Sequence, residues 1–78
     1  AQELKNTGDL EGARTTFAGL VERFPDYVPA YLHAGNVLVA LGLSAEARAL
    51  YGRGVEVARR KGDAHAAGEL EGALAACR

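Results

Sequence analysis

The sequence predicts an all-α protein built from a short helical repeat, and three observations support this. When the chain is shifted by 34 residues, several positions match, among them Ala13 with Ala47 and Phe17 with Tyr51. A fixed period of this size is typical of stacked helical repeats. Apolar residues recur at helical spacing, and no segment shows the alternation of a β-strand. Glycine and proline interrupt the pattern at short intervals, which predicts short turns between antiparallel helices.

The first helix is predicted over residues 10–24. Asp9 suits its N-cap position, where the carboxylate can accept a backbone N–H. Pro25 ends it, because proline lacks an amide hydrogen and clashes with the preceding turn. Before this helix, residues 1–6 have the pattern of the last turns of an additional helix whose beginning is absent. Gly8 is expected to end that helix, because glycine readily adopts the conformation found at helix ends.

The second helix is predicted over residues 29–41. Pro29 suits its first turn, where the missing amide hydrogen has no intrahelical partner. Ala34 and Gly35 lie on the apolar stripe and are small, so a neighbouring helix can approach closely. Gly42 is expected to end the helix in a left-handed conformation.

The third helix is predicted over residues 45–61, with Ser44 as its N-cap. Each glycine in a helix interior costs about 1 kcal/mol relative to alanine. At Gly54 we expect close packing against the following helix to offset that cost. For Gly52 the sequence offers no explanation.

The fourth helix is predicted to begin after Gly62 and Asp63, which again form a stop and a cap. Its apolar residues recur at helical spacing, and no further helix follows it in this sequence. We expect it to cover the apolar face of the preceding helices, as the last helix of a repeat array does.

The patterns Tyr31-x2-Ala34-Gly35-x2-Leu38 and Ala47-x3-Tyr51 resemble the tetratricopeptide repeat (TPR) family. The family pattern is W-x2-L-G-x2-Y, then A-x3-F, then P; this chain lacks the tryptophan and the second proline. The resemblance implies a right-handed α-α superhelix of helix-turn-helix pairs within a single TPR domain. Its parts would be a truncated first repeat at 1–27, a second repeat at 28–61 and a C-terminal capping helix at 62–78.

Composition argues against several classes of function. The formal net charge is -1, from 9 basic and 10 acidic residues, which gives no driving force toward nucleic acid or anionic membranes. No apolar run approaches the roughly 20 residues that cross a bilayer. The single cysteine, Cys77, cannot form an internal disulfide, which favours a cytoplasmic location. Because the chain begins at Ala1 without methionine, we expect a fragment, a processed product or the ordered part of a longer protein.

No constellation of residues indicates catalysis. A zinc or iron site needs three or four converging ligands, but His65 has only Glu69 one turn away and His33 has none. The only serine, Ser44, has the position of a helix cap. We therefore expect no catalytic residue, no metal and no cofactor, and we predict that the protein is not an enzyme.

The resemblance implies a protein or peptide partner bound in a concave groove that the first helix of each repeat lines. Carried over to this sequence, the principal lining residues are Lys5, Leu32, His33, Asn36, Val39 and Leu70, with Gln2, Asn6, Ala40, Ala66 and Ala73 beside them. The lysine, arginine and asparagine clamp by which some family members hold a terminal carboxylate is absent. We therefore expect no recognition of C-terminal carboxylates.

The leading hypothesis is a non-catalytic protein–protein interaction module that serves as an adaptor or scaffold. Leu32 and Val39 on the expected open face favour an apolar peptide, a partner helix or self-association, unless the curvature of the array shields them. Asn36 either forms a hydrogen bond with a ligand backbone or is simply solvated. The alternatives are a self-associating structural unit, since the Phe17 side of the first helix has little cover, and a regulatory domain of a larger protein.

Overall fold

The computed structural model describes the backbone of residues 2–77 and the side chains of residues 10–77. Four helices follow one another: α1 (Gln2–Arg23), α2 (Val28–Ala40), α3 (Ser44–Arg60) and α4 (Ala64–Ala76). No strand occurs in residues 2–77, so the predicted all-α fold is confirmed. Each helix packs on the next one along the chain, and α2 also touches α4.

The first helix differs from the prediction, because α1 runs without a break through Gly8 and Asp9. The expected turn at Gly8 and the cap at Asp9 are therefore wrong. A glycine inside a helix costs only about 1 kcal/mol relative to alanine. Residues 1–7 supply just Ala1 and Leu4 as apolar side chains, which is too little surface to hold a separate antiparallel helix.

The turns after α2 and α3 are the same motif, as predicted. Gly42 and Gly62 have φ angles of 81° and 74°, which side chains with a Cβ rarely adopt. In the first turn Leu43 N donates to Leu38 O at 2.8 Å, and in the second the corresponding hydrogen bond is also 2.8 Å. This pattern satisfies carbonyl groups that a helix end leaves without partners.

The helix starts agree with the prediction in two cases out of four, since the cap at Asp9 has already failed. Pro29 lies in the first turn of α2, and Asp63 accepts a hydrogen bond from Ala66 N at 3.0 Å at the start of α4. The predicted cap at Ser44 is wrong, since Leu43 takes the N-cap position and no side chain caps α3. Leu43 packs against the apolar core. The N-cap position of α3 therefore falls on Leu43, one residue earlier than the predicted Ser44.

Two glycines set the spacing of the helices. A Cβ atom at Gly35 would lie 2.7 Å from Tyr51 Cδ1, and one at Gly54 would lie 2.7 Å from Tyr31 Cβ. Neither distance is compatible with a real side chain. The Cβ atom at Gly54 would also lie 3.0 Å from Leu70 Cδ1 of the following helix, so the predicted close approach at both glycines is confirmed. The two tyrosine rings are nearly fully buried as a result.

Candidate protein-binding groove

The second and fourth helices lie side by side and leave a shallow groove between them. Its deepest part is a pocket of about 190 Å³. The lining residues come from α2, α3 and α4 and from the residue that follows α4: Asn36, Val39, Tyr51, Ala73, Ala76 and Cys77. The sequence analysis predicted Asn36, Val39 and Ala73 for the groove, and the structure brings these three together.

The spacing of residues on α2 explains which side chains reach the groove. Successive residues of an α-helix are separated by about 100°, so Leu32, Asn36 and Val39 share one face. Val39 is 43% exposed, which is high for a large apolar side chain. Leu32 is half-buried and packs against the core, so it supports the groove more than it lines it.

Tyr51 of α3 reaches the groove from beneath α2. Its ring passes across Gly35, and its hydroxyl donates a hydrogen bond to Asn36 Oδ1 at 2.6 Å. Burial, with a smaller contribution from Cys77, raises the pKa of Tyr51 above its ordinary value of 10.0. The phenol therefore stays protonated and donating at neutral pH. This hydrogen bond fixes the orientation of the Asn36 carboxamide on the exposed face of α2.

The far end of the groove is closed by Cys77, just after α4. Its Sγ atom donates to Ser44 O at 3.4 Å, and the side chain is half-buried. This contact ties the end of α4 to the start of α3. Ala73 and Ala76 lie on the same wall and are small, so a bound segment can approach the backbone of α4 closely.

Two of the predicted groove residues lie elsewhere, and three lie beyond the described side chains. His33 lies on the α1 side of α2, where its ring stacks on Phe17 with centroids 5.8 Å apart. Leu70 is only 1% exposed and packs in the core against Gly54, which removes it from the surface. The side chains of Lys5, Gln2 and Asn6 lie outside the described residues.

Three residues that line the groove were not predicted from the sequence: Tyr51, Ala76 and Cys77. The signal for Tyr51 was present, because a ring that crosses Gly35 must end beside Asn36, the next residue. Its counterpart 34 residues earlier is Phe17, which has no hydroxyl. Whether Ala76 and Cys77 face the groove depends on the rotation of α4 about its own axis relative to α3. The spacing of apolar residues in the sequence does not determine that rotation.

The described part of the chain offers little for other chemistry. Among the residues that the structure describes, no three His, Cys, Asp or Glu side chains come close enough to hold a metal ion. Within the same range, no helix has both the length and the apolar character of a membrane span.

Comparison with known protein families identifies the architecture. The sequence model described as tetratricopeptide repeat matches residues 6–68. The chain belongs to the tetratricopeptide repeat family. TPR repeats generally mediate protein–protein interaction, and the family is generally a non-catalytic interaction module. Comparisons of this TPR chain with curated proteins and with solved structures gave no match.

Proposed function

We propose that this TPR chain is a non-catalytic adaptor that holds a segment of a partner protein in the groove between α2 and α4. The observation that carries the proposal is the Tyr51–Asn36 hydrogen bond of 2.6 Å beside the exposed Val39. A groove that combines an apolar wall with an oriented polar group is a common arrangement for binding peptides.

The lining indicates which partner segment fits. The pocket of about 190 Å³ accommodates a single side chain, and its walls at Val39, Ala73 and Ala76 are apolar. The nitrogen of Asn36 donates to a carbonyl oxygen of the bound backbone. We therefore infer that the partner presents an uncharged extended or helical segment with one apolar side chain at its centre.

The division of the chain is also a proposal. We infer that α2 and α3, within residues 28–61, form one complete repeat. Residues 1–27 contribute the second helix of an earlier repeat, and residues 62–78 contain the capping helix. The matching stop motifs at Gly42 and Gly62 support this division, because each ends one helix of the pattern with the same geometry.

The test is a peptide selection on the immobilised chain, followed by affinity measurements with two groove variants. Asn36→Ala should weaken the selected peptides about fivefold, the usual effect of losing one hydrogen bond. Val39→Asp should weaken them about tenfold or more, because it places a charge against an apolar side chain.

The matched control is Ala45→Asp, which adds the same charge at an exposed position of α3 outside the groove. It should leave the affinity within about twofold of the unsubstituted chain. Helix content measured by circular dichroism should be the same in all variants. Selected peptides that bind both groove variants as tightly as the control would contradict the proposed site.

A further inference from the structure

A second pocket lies on the opposite side of α2, between α1 and α3. Its volume is about 320 Å³, and its floor is formed by Ala34 and Leu38 of α2. Ala18 of α1 and Ala49 and Leu50 of α3 form its walls. On the helical wheel of α2, Ala34 and Leu38 point roughly 150° away from the groove residues. This pocket is therefore separate from the proposed peptide groove.

An ion pair lies at the rim of this second pocket. Arg14 of α1 contacts Glu46 of α3 at 2.9 Å, with side-chain exposures of 39% and 52%. The pocket thus presents an apolar interior beside one positive and one negative group. Its natural occupant is a large apolar side chain that is flanked by charges of both signs.

The chain itself exposes such a segment in the turn between α1 and α2. Phe24 is 56% exposed, the highest value for a large apolar side chain within residues 10–77. Arg23 precedes it and Asp26 follows two residues later, and both are exposed. Within one molecule Phe24 does not reach the second pocket, whose nearest part on α1 is Ala18.

We propose that Phe24 of one copy inserts into the second pocket of another copy. Arg23 then faces Glu46, and Asp26 faces Arg14, so that the charges around the inserted ring are complementary. A contact of this type, in which a projecting side chain meets a pocket elsewhere on the surface, joins copies head to tail, with one ring and one pocket for each joined pair.

The association is expected to be weak, because one ring and two exposed ion pairs provide little binding energy. We expect a dissociation constant on the order of 1 mM, and we expect added salt to raise it. The contact does not involve the groove between α2 and α4, so it stands or falls separately from peptide binding.

Sedimentation of the full 78-residue chain, at concentrations up to about the expected dissociation constant, provides the test. Phe24→Ser and Ala49→Arg should each abolish the concentration-dependent rise in mass, the first by removing the ring and the second by covering the pocket. Val39→Ser and Ala75→Arg are the matched controls, one on the groove and one at an exposed position of α4 outside both pockets, and should associate like the unsubstituted chain.

A mixing experiment makes the test specific. The Phe24→Ser variant keeps the pocket and the Ala49→Arg variant keeps the ring, so an equimolar mixture should regain a 1:1 complex. Circular dichroism verifies that both variants are folded. A monomeric unsubstituted chain at the highest concentration, association that persists in Phe24→Ser, or a mixture that stays monomeric would each overturn the proposal.

Discussion

Tyr31 and Tyr51, at the centre of the molecule, pack against Gly54 and Gly35, where a side chain would overlap their atoms. Gly54 lies where a Cβ atom would overlap Tyr31 and would also come within 3.1 Å of Leu70. Gly52, two residues earlier on the same helix, has no atom within 4 Å of its Cβ position. The two glycines thus have opposite relations to packing, and Gly52 stays unexplained by any contact.

This difference predicts opposite effects of the same substitution. Gly52→Ala should raise the free energy of unfolding by up to about 1 kcal/mol, the usual gain from replacing glycine in a helix. Gly54→Ala should lower it by about 1–3 kcal/mol, because the added methyl group overpacks the core. Urea unfolding monitored by circular dichroism measures both, and equal shifts in the two variants would contradict the packing described for Gly54.

Tyr51 adds a pH dependence at the scale of a single group. Its pKa is raised in the folded chain, so the unfolded chain releases the phenolic proton first as pH rises. The stabilisation from the neutral hydroxyl is therefore complete below about pH 10 and decreases as pH rises through the folded pKa. Tyr51→Phe removes the hydroxyl and should lower stability by about 1 kcal/mol at neutral pH.

The measurement compares the urea midpoints of the two proteins between neutral pH and pH 11. Their difference should shrink above about pH 10, because only the unsubstituted chain carries a buried hydroxyl at this position. A difference that stays constant with pH would show that ionisation of Tyr51 is not linked to folding.

At the scale of the helices, one start is capped by a side chain and another is not. Asp63 accepts the hydrogen bond from Ala66 N at the beginning of α4, whereas α3 begins at Ser44 without such a bond. The cap matters for the groove, because α4 forms one of its walls.

Asp63→Ala should therefore lower the free energy of unfolding by about 1 kcal/mol, the typical cost of losing an N-cap. Ser44→Ala is the matched control and should change it by less than about 0.5 kcal/mol, since that hydroxyl caps nothing. Thermal unfolding of the two variants gives the comparison. A larger loss for Ser44→Ala than for Asp63→Ala would contradict the observed caps.

The helices also show how far sequence reasoning extends. Glycine, proline and aspartate allowed the bounds of α2 and α3 to be predicted to within about one residue, and α4 begins directly after Asp63 as predicted. The break at Gly8 failed, because a helix stop also needs a packed partner on its other side. That requirement is tertiary and cannot be judged from Gly8 itself.

The residues that line the groove could also be predicted only in part from the sequence. Asn36 and Val39 were found because the family pattern fixes their phase on α2. His33 and Leu70 were misplaced, because the rotation of α2 against α1 and of α4 against α3 decides which neighbour each side chain meets. His33 meets Phe17 of α1, and Leu70 packs against Gly54 of α3, and both contacts join residues that are distant in sequence.

For the whole molecule, four helices that touch mainly their sequence neighbours bring two separate surfaces onto opposite sides of α2. One is the groove with Asn36 and Val39, and the other is the pocket beside Arg14 and Glu46. If both proposals hold, the chain binds a peptide on one side of α2 and a second copy on the other, which is the arrangement we propose for an adaptor.

The most direct test of the groove is a nuclear magnetic resonance titration of the isotope-labelled chain with a selected peptide. If the peptide binds in the groove between α2 and α4, the largest chemical-shift changes fall on the side-chain amide of Asn36 and on the backbone amides of Val39, Ala73 and Ala76. Shifts centred on Ala18, Ala49 and Leu50 instead, with Asn36 unchanged, would contradict it.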